Sequence, residues 1–187
     1  MAMNERINCF HFGCTMSTHN VGVSVPWYCF RHRAEMDKVN DGTPPVPKKV
    51  YIVGSLRNPV VREVAHAIRG RGFDVFDDWH GCGPDADDHW KVYEQSRNRK
   101  YSDALRGKLA QHAFSFDKSN LDEADVVVLV LPAGKSGHLE LGYAAGKGKR
   151  TYILLEPDRD EDRWDLMYLF ATAVVTNVKE LLEKMNG

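Results

Sequence analysis

The run Asp125-Val-Val-Val-Leu-Val-Leu-Pro132 constrains this chain more than any other stretch. It is almost continuously apolar and rich in β-branched residues, the pattern of a strand covered on both faces. Such a strand belongs in the middle of a parallel sheet, and parallel neighbours require crossover helices. The flanking sequence supplies them. Lys49 to Gly54 reads as a first strand, and Asn58-Pro59 places an N-cap and a first-turn proline ahead of a helix ending near Arg69, stopped by Gly70-Arg-Gly72. Phe73 to Asp78 alternates as a second strand, and Trp79 to Asp85 is a glycine-containing loop. A polar segment from about Asp87 to His112 reads as helical, with Trp90, Tyr93, Tyr101, Leu105 and Leu109 along one apolar face. After the central strand come a helix over about 137 to 147, a strand from Arg150 to Glu156, an acidic loop, a short strand near Ala173 to Thr176 and a terminal helix.

Strand and helix therefore alternate, which predicts an α/β fold. The expected architecture is a doubly wound, flavodoxin- or Rossmann-like sheet of five parallel strands in the order 2-1-3-4-5. With 187 residues, 43% of them hydrophobic, the chain is long enough for one such core and a small appendage. A net charge of -1 gives no argument for broad attraction to nucleic acid or membrane, so ligands must be recognised locally. No apolar stretch approaches the roughly 18 residues that span a bilayer, and the first residues lack a signal-peptide core. A cytoplasmic protein is expected.

Three of the four cysteines, Cys9, Cys14 and Cys29, fall in the first 30 residues and are followed by His32, giving C-x4-C-x14-C-x2-H. Two short chelating pairs separated by a loop suit a tetrahedral structural zinc ion. His11 and His19 lie in the same segment and are alternatives for a ligand. Cys82 is outside this pattern and reads as a loop thiol. Residues 1–37 are thus expected to form a zinc-knuckle-like element. The Pro-rich stretch 38–48 reads as a semi-rigid linker and 49–187 as the main domain.

In a parallel α/β sheet, chemistry sits beyond the carboxyl ends of the strands. The loop after the central strand leads to Glu140, expected in the first helical turn, where the helix dipole favours an ionised carboxylate suited to nucleophilic attack. The plainer reading is a favourable first-turn acid. At the same edge, Gly54, Ser55 and Arg57 follow the first strand. Glycine permits close backbone approach there, serine offers a hydroxyl, and arginine can pair with phosphate oxygens. Asp117, flanked by Phe114 and Phe116, is a candidate sheltered proton donor, whereas Asp125 reads as a strand-entry residue. Trp79, beside Asp77, Asp78 and His80 at the end of the second strand, is a candidate for stacking on a base.

Taken together, Tyr51-Ile-Val-Gly-Ser55, the spacing of Asp117 and Asp125, and Glu140-Leu-Gly-Tyr-Ala-Ala-Gly-Lys-Gly-Lys149 resemble the nucleoside 2-deoxyribosyltransferase superfamily, including the 2'-deoxynucleoside 5'-phosphate N-hydrolases. The resemblance covers residues 48 to about 156. It implies cleavage of an N-glycosidic bond, with Glu140 as nucleophile forming a glycosyl-enzyme, Tyr51 positioning it, and Asp117 contacting the leaving base. Gly54-Ser-Leu-Arg57 is similar to the hydrolases' 5'-phosphate loop. Ser136, although not at the family's serine position, is a further candidate phosphate contact across a dimer interface, and His138 is a candidate for protonating a base beside the commoner reading of a surface or packing histidine. The chain departs from the transferases at residues 133 to 138, Ala-Gly-Lys-Ser-Gly-His, where they carry an aspartate. The small residues Gly142, Ala144, Ala145 and Gly146 are compatible with the homodimers of the family. Two other readings stand beside the glycosidase. One is a non-catalytic nucleotide-binding or sensing module whose zinc knuckle recruits a partner. In the other, Arg31, Arg33, Lys48 and Lys49 help the N-terminal element contact nucleic acid, against which the charge balance argues.

Overall fold

The computed structural model describes residues 49 to 155 and 165 to 186, together with two short strands, Arg6–Asn8 (β1) and Ser17–His19 (β2). The chain divides into two compact units, Met1–Val46 and Pro47–Gly187. In the first, β1 and β2 pair antiparallel, Arg6 opposite His19 and Asn8 opposite Ser17. Cys9, Cys14, Cys29 and His32, the expected zinc ligands, and the whole of the linker 38–48 lie outside the described residues. Among the described residues no group of His, Cys, Asp or Glu is arranged to hold a metal ion. None of the described helices is long and apolar enough to cross a membrane.

The second unit holds a parallel sheet of Lys49–Val53 (β3), Asp74–Phe76 (β4), Val126–Val130 (β5), Arg150–Leu154 (β6) and Ala173–Val175 (β7), in the order β4-β3-β5-β6-β7. Counted within the unit, this is the expected 2-1-3-4-5. Its helices are Val60–Arg69 (α1), Ala86–Ser96 (α2), Tyr101–Ala104 (α3), Lys108–Glu123 (α4), Lys135–Gly146 (α5) and Val178–Met185 (α6). Every residue of β5 is buried, as its unbroken apolar run requires.

Successive strand side chains point to opposite faces, and this assigns each helix its layer. Val50, Ile52, Val126 and Val128 pack with Val61, Val64 and Ile68 of α1 and with Leu181 and Met185 of α6. Tyr51, Val53, Val127 and Leu129 pack on the other face with Leu121 of α4 and with Leu141 and Ala144 of α5. Each fully buried aliphatic side chain contributes about 1.5–3 kcal/mol, so the alternation fixes the register of the whole sheet. It also places Tyr51 on the same face as α4 and α5.

The start of α1 follows from Asn58, whose side-chain oxygen accepts from Val60 N at 3.0 Å and whose amide reaches Val130 O and Pro132 O, both at 3.4 Å. The loop after β3 is thereby tied to the end of β5. Gly54 stands at the start of that loop, and a Cβ there would lie 2.6 Å from Val61 Cγ2 and 3.5 Å from Val130 O. Val61 is fully buried and β-branched, so its side chain has little freedom to move aside. Gly54→Ala is expected to destabilise the fold by about 1–3 kcal/mol, measured as a lowered denaturant midpoint at unchanged slope.

The segment expected as one helix over 87 to 112 is broken into α2, α3 and the start of α4. Asn98 takes a left-handed φ of 56° just after α2. A Cβ on Gly107, which precedes α4, would come within 2.9 Å of Ala104 O. The apolar face is not core either: Tyr93 is 50%, Tyr101 71% and Leu109 53% exposed. Helical periodicity reports that side chains share a side, not what lies beneath them. Here several of them border an open cavity.

Candidate active site

A cavity of about 620 Å³ opens at the carboxyl end of β3, with Tyr51, Gly54, Ser55, Arg57, Trp79, Asp117, Ser136 and Glu140 in its lining. Eight of the nine residues expected to act on substrate are therefore brought together. They come from β3 and its following loop, the 3-10 turn Asp78–Cys82, α4 and α5.

Each carboxylate is aimed by packing one turn away. On α4, Asp117 precedes buried Leu121 by four residues and so shares its inward face. On α5, Ser136 and Gly137 precede Glu140 by about one turn and Ala144 follows it by another. Gly137 lets the helix approach the sheet: a Cβ there would sit 3.0 Å from Val53 Cγ1 and 3.2 Å from Leu129 Cδ1. The two helices are clipped together by Tyr143, whose hydroxyl donates to Asp122 Oδ1 at 2.6 Å and accepts from Lys118 Nζ at 3.2 Å. Lys118 also pairs with Asp122. Tyr143 belongs to the Glu-Leu-Gly-Tyr segment, and the structure gives it this bracing task.

Burial is the main cause that pushes the Glu140 carboxyl up to about 7, the charge of Asp117 adds to it, and hydrogen bonding with Tyr51 opposes it. Asp117 is likewise raised, by burial. Burial first, then the charges of Glu140 and Asp117 and the hydrogen bond to Glu140, hold the Tyr51 phenol far above its ordinary range, so it remains a donor. Tyr51 is kept in place by Phe76, whose ring stacks on it at 5.1 Å, and Phe116 leans on Phe76 at 5.5 Å. Of the two phenylalanines expected to shelter Asp117, Phe114 is 61% and Phe116 49% exposed, so the shelter comes from elsewhere in the cavity wall.

The expectation that the helix dipole keeps Glu140 ionised is corrected. Gly134 adopts an extended conformation and α5 begins at Lys135, which puts Glu140 in the second turn, where the dipole has faded. Desolvation and a second carboxyl dominate instead. His138 is also corrected, since it is not in the cavity lining. Two residues before Glu140 on a helix is about 200° around the axis, which turns it away. Its ring nitrogens meet Gly134 O at 2.8 Å and Tyr168 Oη at 3.1 Å, and its ring stacks on Tyr168.

Trp79 lines the cavity with its indole N–H donated to Ile52 O at 2.8 Å, which fixes the ring at the end of the sheet. In the loop after β3, Arg57 N donates to Ser55 Oγ at 3.2 Å and Asn58 N to Ser55 O at 2.9 Å. Asp125 lies at the opposite edge, accepting from Lys49 N at 3.0 Å, in keeping with strand entry. The sequence reading missed Asp87, Ala110 and Ala113, which line the cavity together with Trp90, Leu105 and Leu109. The signal was the apolar stripe itself, read there only as one face of a helix.

No protein-family model and no curated protein matches this chain. Solved structures similar to it include the following two. One is the Clostridium botulinum CMP N-glycosidase BcmB, at 14% identity and a TM-score of 0.45, covering 75% of this chain and 100% of that one. The other is the 2-deoxyribosyltransferase from the psychrotolerant bacterium Bacillus psychrosaccharolyticus, at 15% identity and a TM-score of 0.48, covering 71% of this chain and 89% of that one.

Tyr51 offers a direct probe of that site. Its hydrogen bond favours ionised Glu140, so Tyr51→Phe is expected to raise the Glu140 pKa further. In titration of Glu140 by carboxyl-selective NMR, the midpoint should move to higher pH in the variant. An unmoved midpoint would show that the phenol does not act on the carboxylate.

Proposed function

We propose that this protein cleaves the N-glycosidic bond of a nucleoside or nucleoside 5'-monophosphate through a glycosyl-enzyme intermediate. The observation that carries this reading is the convergence of Glu140 and Asp117, two half-buried carboxyls, with the Tyr51 phenol in one cavity at the sheet's carboxyl edge. Burial raises both carboxyls and the Asp117 charge raises Glu140 further, so that one can act as anion while the other acts as acid.

In the productive state the proton is on Asp117 and Glu140 is ionised, assisted by Tyr51. A Glu140 oxygen attacks the anomeric carbon as the bond to the base nitrogen breaks, and the bonding pair leaves with the base. Asp117 gives its proton to that base. The sugar is then an ester of Glu140. Water attacks the same carbon, Asp117 takes up its proton, and Glu140 is released as carboxylate. An acceptor base with an exchangeable N–H replaces water by the same route and yields a new nucleoside. Two displacements return the starting configuration at the anomeric carbon. Trp79 and the wall of Trp90, Leu105 and Leu109 supply apolar surface suited to a base. Gly54, Ser55, Arg57 and Ser136 supply donors suited to a 5'-phosphate.

The test is incubation with a panel of nucleosides and nucleoside 5'-monophosphates, with and without a free acceptor base, followed by chromatography. Free base released by the wild-type protein and not by Glu140→Gln is the expected result. Base exchange would mark a transferase. Ligand binding without any product would overturn the catalytic reading in favour of a nucleotide receptor.

A further inference from the structure

The cavity is poor in positive charge. Its lining contains three acids, Asp87, Asp117 and Glu140, and one cation, Arg57. That cation is already engaged: Arg57 Nη2 donates to Asp88 Oδ2 at 2.7 Å. Asp88 lies in the first turn of α2, next to the cavity-lining Asp87, but is not itself in the lining. The pair bridges the loop after β3 and the helix that forms one wall.

Both partners are open to solvent, with 52% of the Arg57 side chain and 65% of the Asp88 side chain exposed. An ion pair this exposed is weak and exchangeable, because water screens the attraction and the two side chains lose freedom in forming it. A phosphate monoester is a better partner for a guanidinium than a single carboxylate oxygen, since it carries more charge and accepts two parallel N–H bonds. A neutral sugar offers no such exchange and leaves the pair intact. The geometry therefore contains a competition with a defined winner for each class of ligand.

We propose that Asp88 is a specificity-determining residue, a resting counter-ion that holds Arg57 in the empty protein and yields it to the phosphate of a 5-phosphorylated sugar. This rests on reading the cavity as a nucleoside or nucleotide site, and it assigns the discrimination between the two to Asp88 as much as to Arg57. Asp88 subtracts from phosphate affinity and contributes nothing to the affinity for an unphosphorylated sugar.

The experiment is a titration of the full chain with ribose 5-phosphate and, separately, with ribose, followed by the fluorescence of Trp79 and Trp90 and confirmed by calorimetry. Asp88→Asn, isosteric and on an exposed side chain, should bind ribose 5-phosphate about two- to fivefold more tightly at low salt and bind ribose as the wild type does. In an Arg57→Gln background, the same substitution should have no effect on either ligand. Weaker binding of ribose 5-phosphate by Asp88→Asn would overturn the proposal, because it would mean that Asp88 orients Arg57 for the phosphate. An equal change for both sugars would reduce Asp88 to support of the α2 wall, and absence of ribose 5-phosphate binding in all variants would remove the subsite altogether. The titration requires no turnover. A protein that binds ribose 5-phosphate as described yet releases no base from the substrate panel would sink the glycosidase reading and leave the counter-ion intact.

Discussion

Glu140→Gln is expected to lower turnover by about four orders of magnitude or more while making the folded protein more stable at alkaline pH. The loss follows from chemistry: an amide oxygen does not form the glycosyl ester, and neither water nor Asp117 replaces it as nucleophile on the same face. The gain follows from linkage. The Glu140 carboxyl has its pKa raised in the fold from 4.5 to about 7, burial being the first cause. A group with a raised folded pKa stabilises fully below its unfolded value, and that stability is lost as pH rises through the folded one. Between about pH 4.5 and 7 the wild type should therefore lose up to about 3 kcal/mol from this side chain. Glutamine does not ionise, so the variant's unfolding free energy should fall less over that window and exceed the wild type's at pH 8. Denaturant unfolding of both proteins at pH 5 and pH 8 measures this. Parallel pH dependences would mean that Glu140 is not buried against a second carboxyl, and substantial residual turnover would remove it as nucleophile.

Asp117→Asn is expected to lower kcat by about 10²–10⁴-fold, most severely for bases that leave poorly without a proton. A substrate whose base departs as a stable anion should be much less affected, which separates loss of a proton donor from general damage. The same substitution removes one of the two causes that raise Glu140, namely the Asp117 charge. The Glu140 pKa should fall, and the rising limb of the pH-rate profile with the activated substrate should move to lower pH. Tyr51→Phe should move it the other way. Opposite shifts from two neighbours are hard to obtain from nonspecific loosening of the site. If Asp117→Asn leaves the limb in place, the two carboxyls do not share a proton and the acid lies elsewhere.

The Glu140 neighbourhood illustrates how the fold uses a conflict. Burying two acids against one another costs stability, and the fold accepts that cost at the one edge of the sheet where a ligand can enter. The rigid part is the sheet with α1, α5 and α6, whose inward faces are closely packed. The outer wall is lightly anchored by comparison: α2 buries only Glu94, α3 only Ala104 and α4 only Leu121. Few buried contacts mean a low cost of local opening in this wall.

Much of this was legible from residue order. An unbroken apolar run such as Val126 to Leu131 has few ways to be satisfied besides a central parallel strand. Strand and helix patterns dictate the order of elements, and the sheet-edge rule points to Glu140 and to the Gly54 to Arg57 loop. The resemblance in Tyr51, Asp117 and Glu140 picked out residues that the structure does bring into one cavity. These features are local or depend on strand parity, and a linear pattern encodes them directly.

Other features were decided only by the tertiary structure. Whether the stripe of Trp90, Leu105 and Leu109 covers a core or borders a cavity depends on what stands opposite, and periodicity carries no information about that. The ionisation of Glu140 was misjudged from sequence because it depends on burial and on Asp117, which lies 23 positions away in the chain and next to it in the fold. The pairing of Arg57 with Asp88 likewise joins residues 31 positions apart. Sequence determined the layers, since side-chain alternation and helix periodicity are properties of short segments. Electrostatics and cavity shape were left to the fold, since both are sums over groups that only folding brings together.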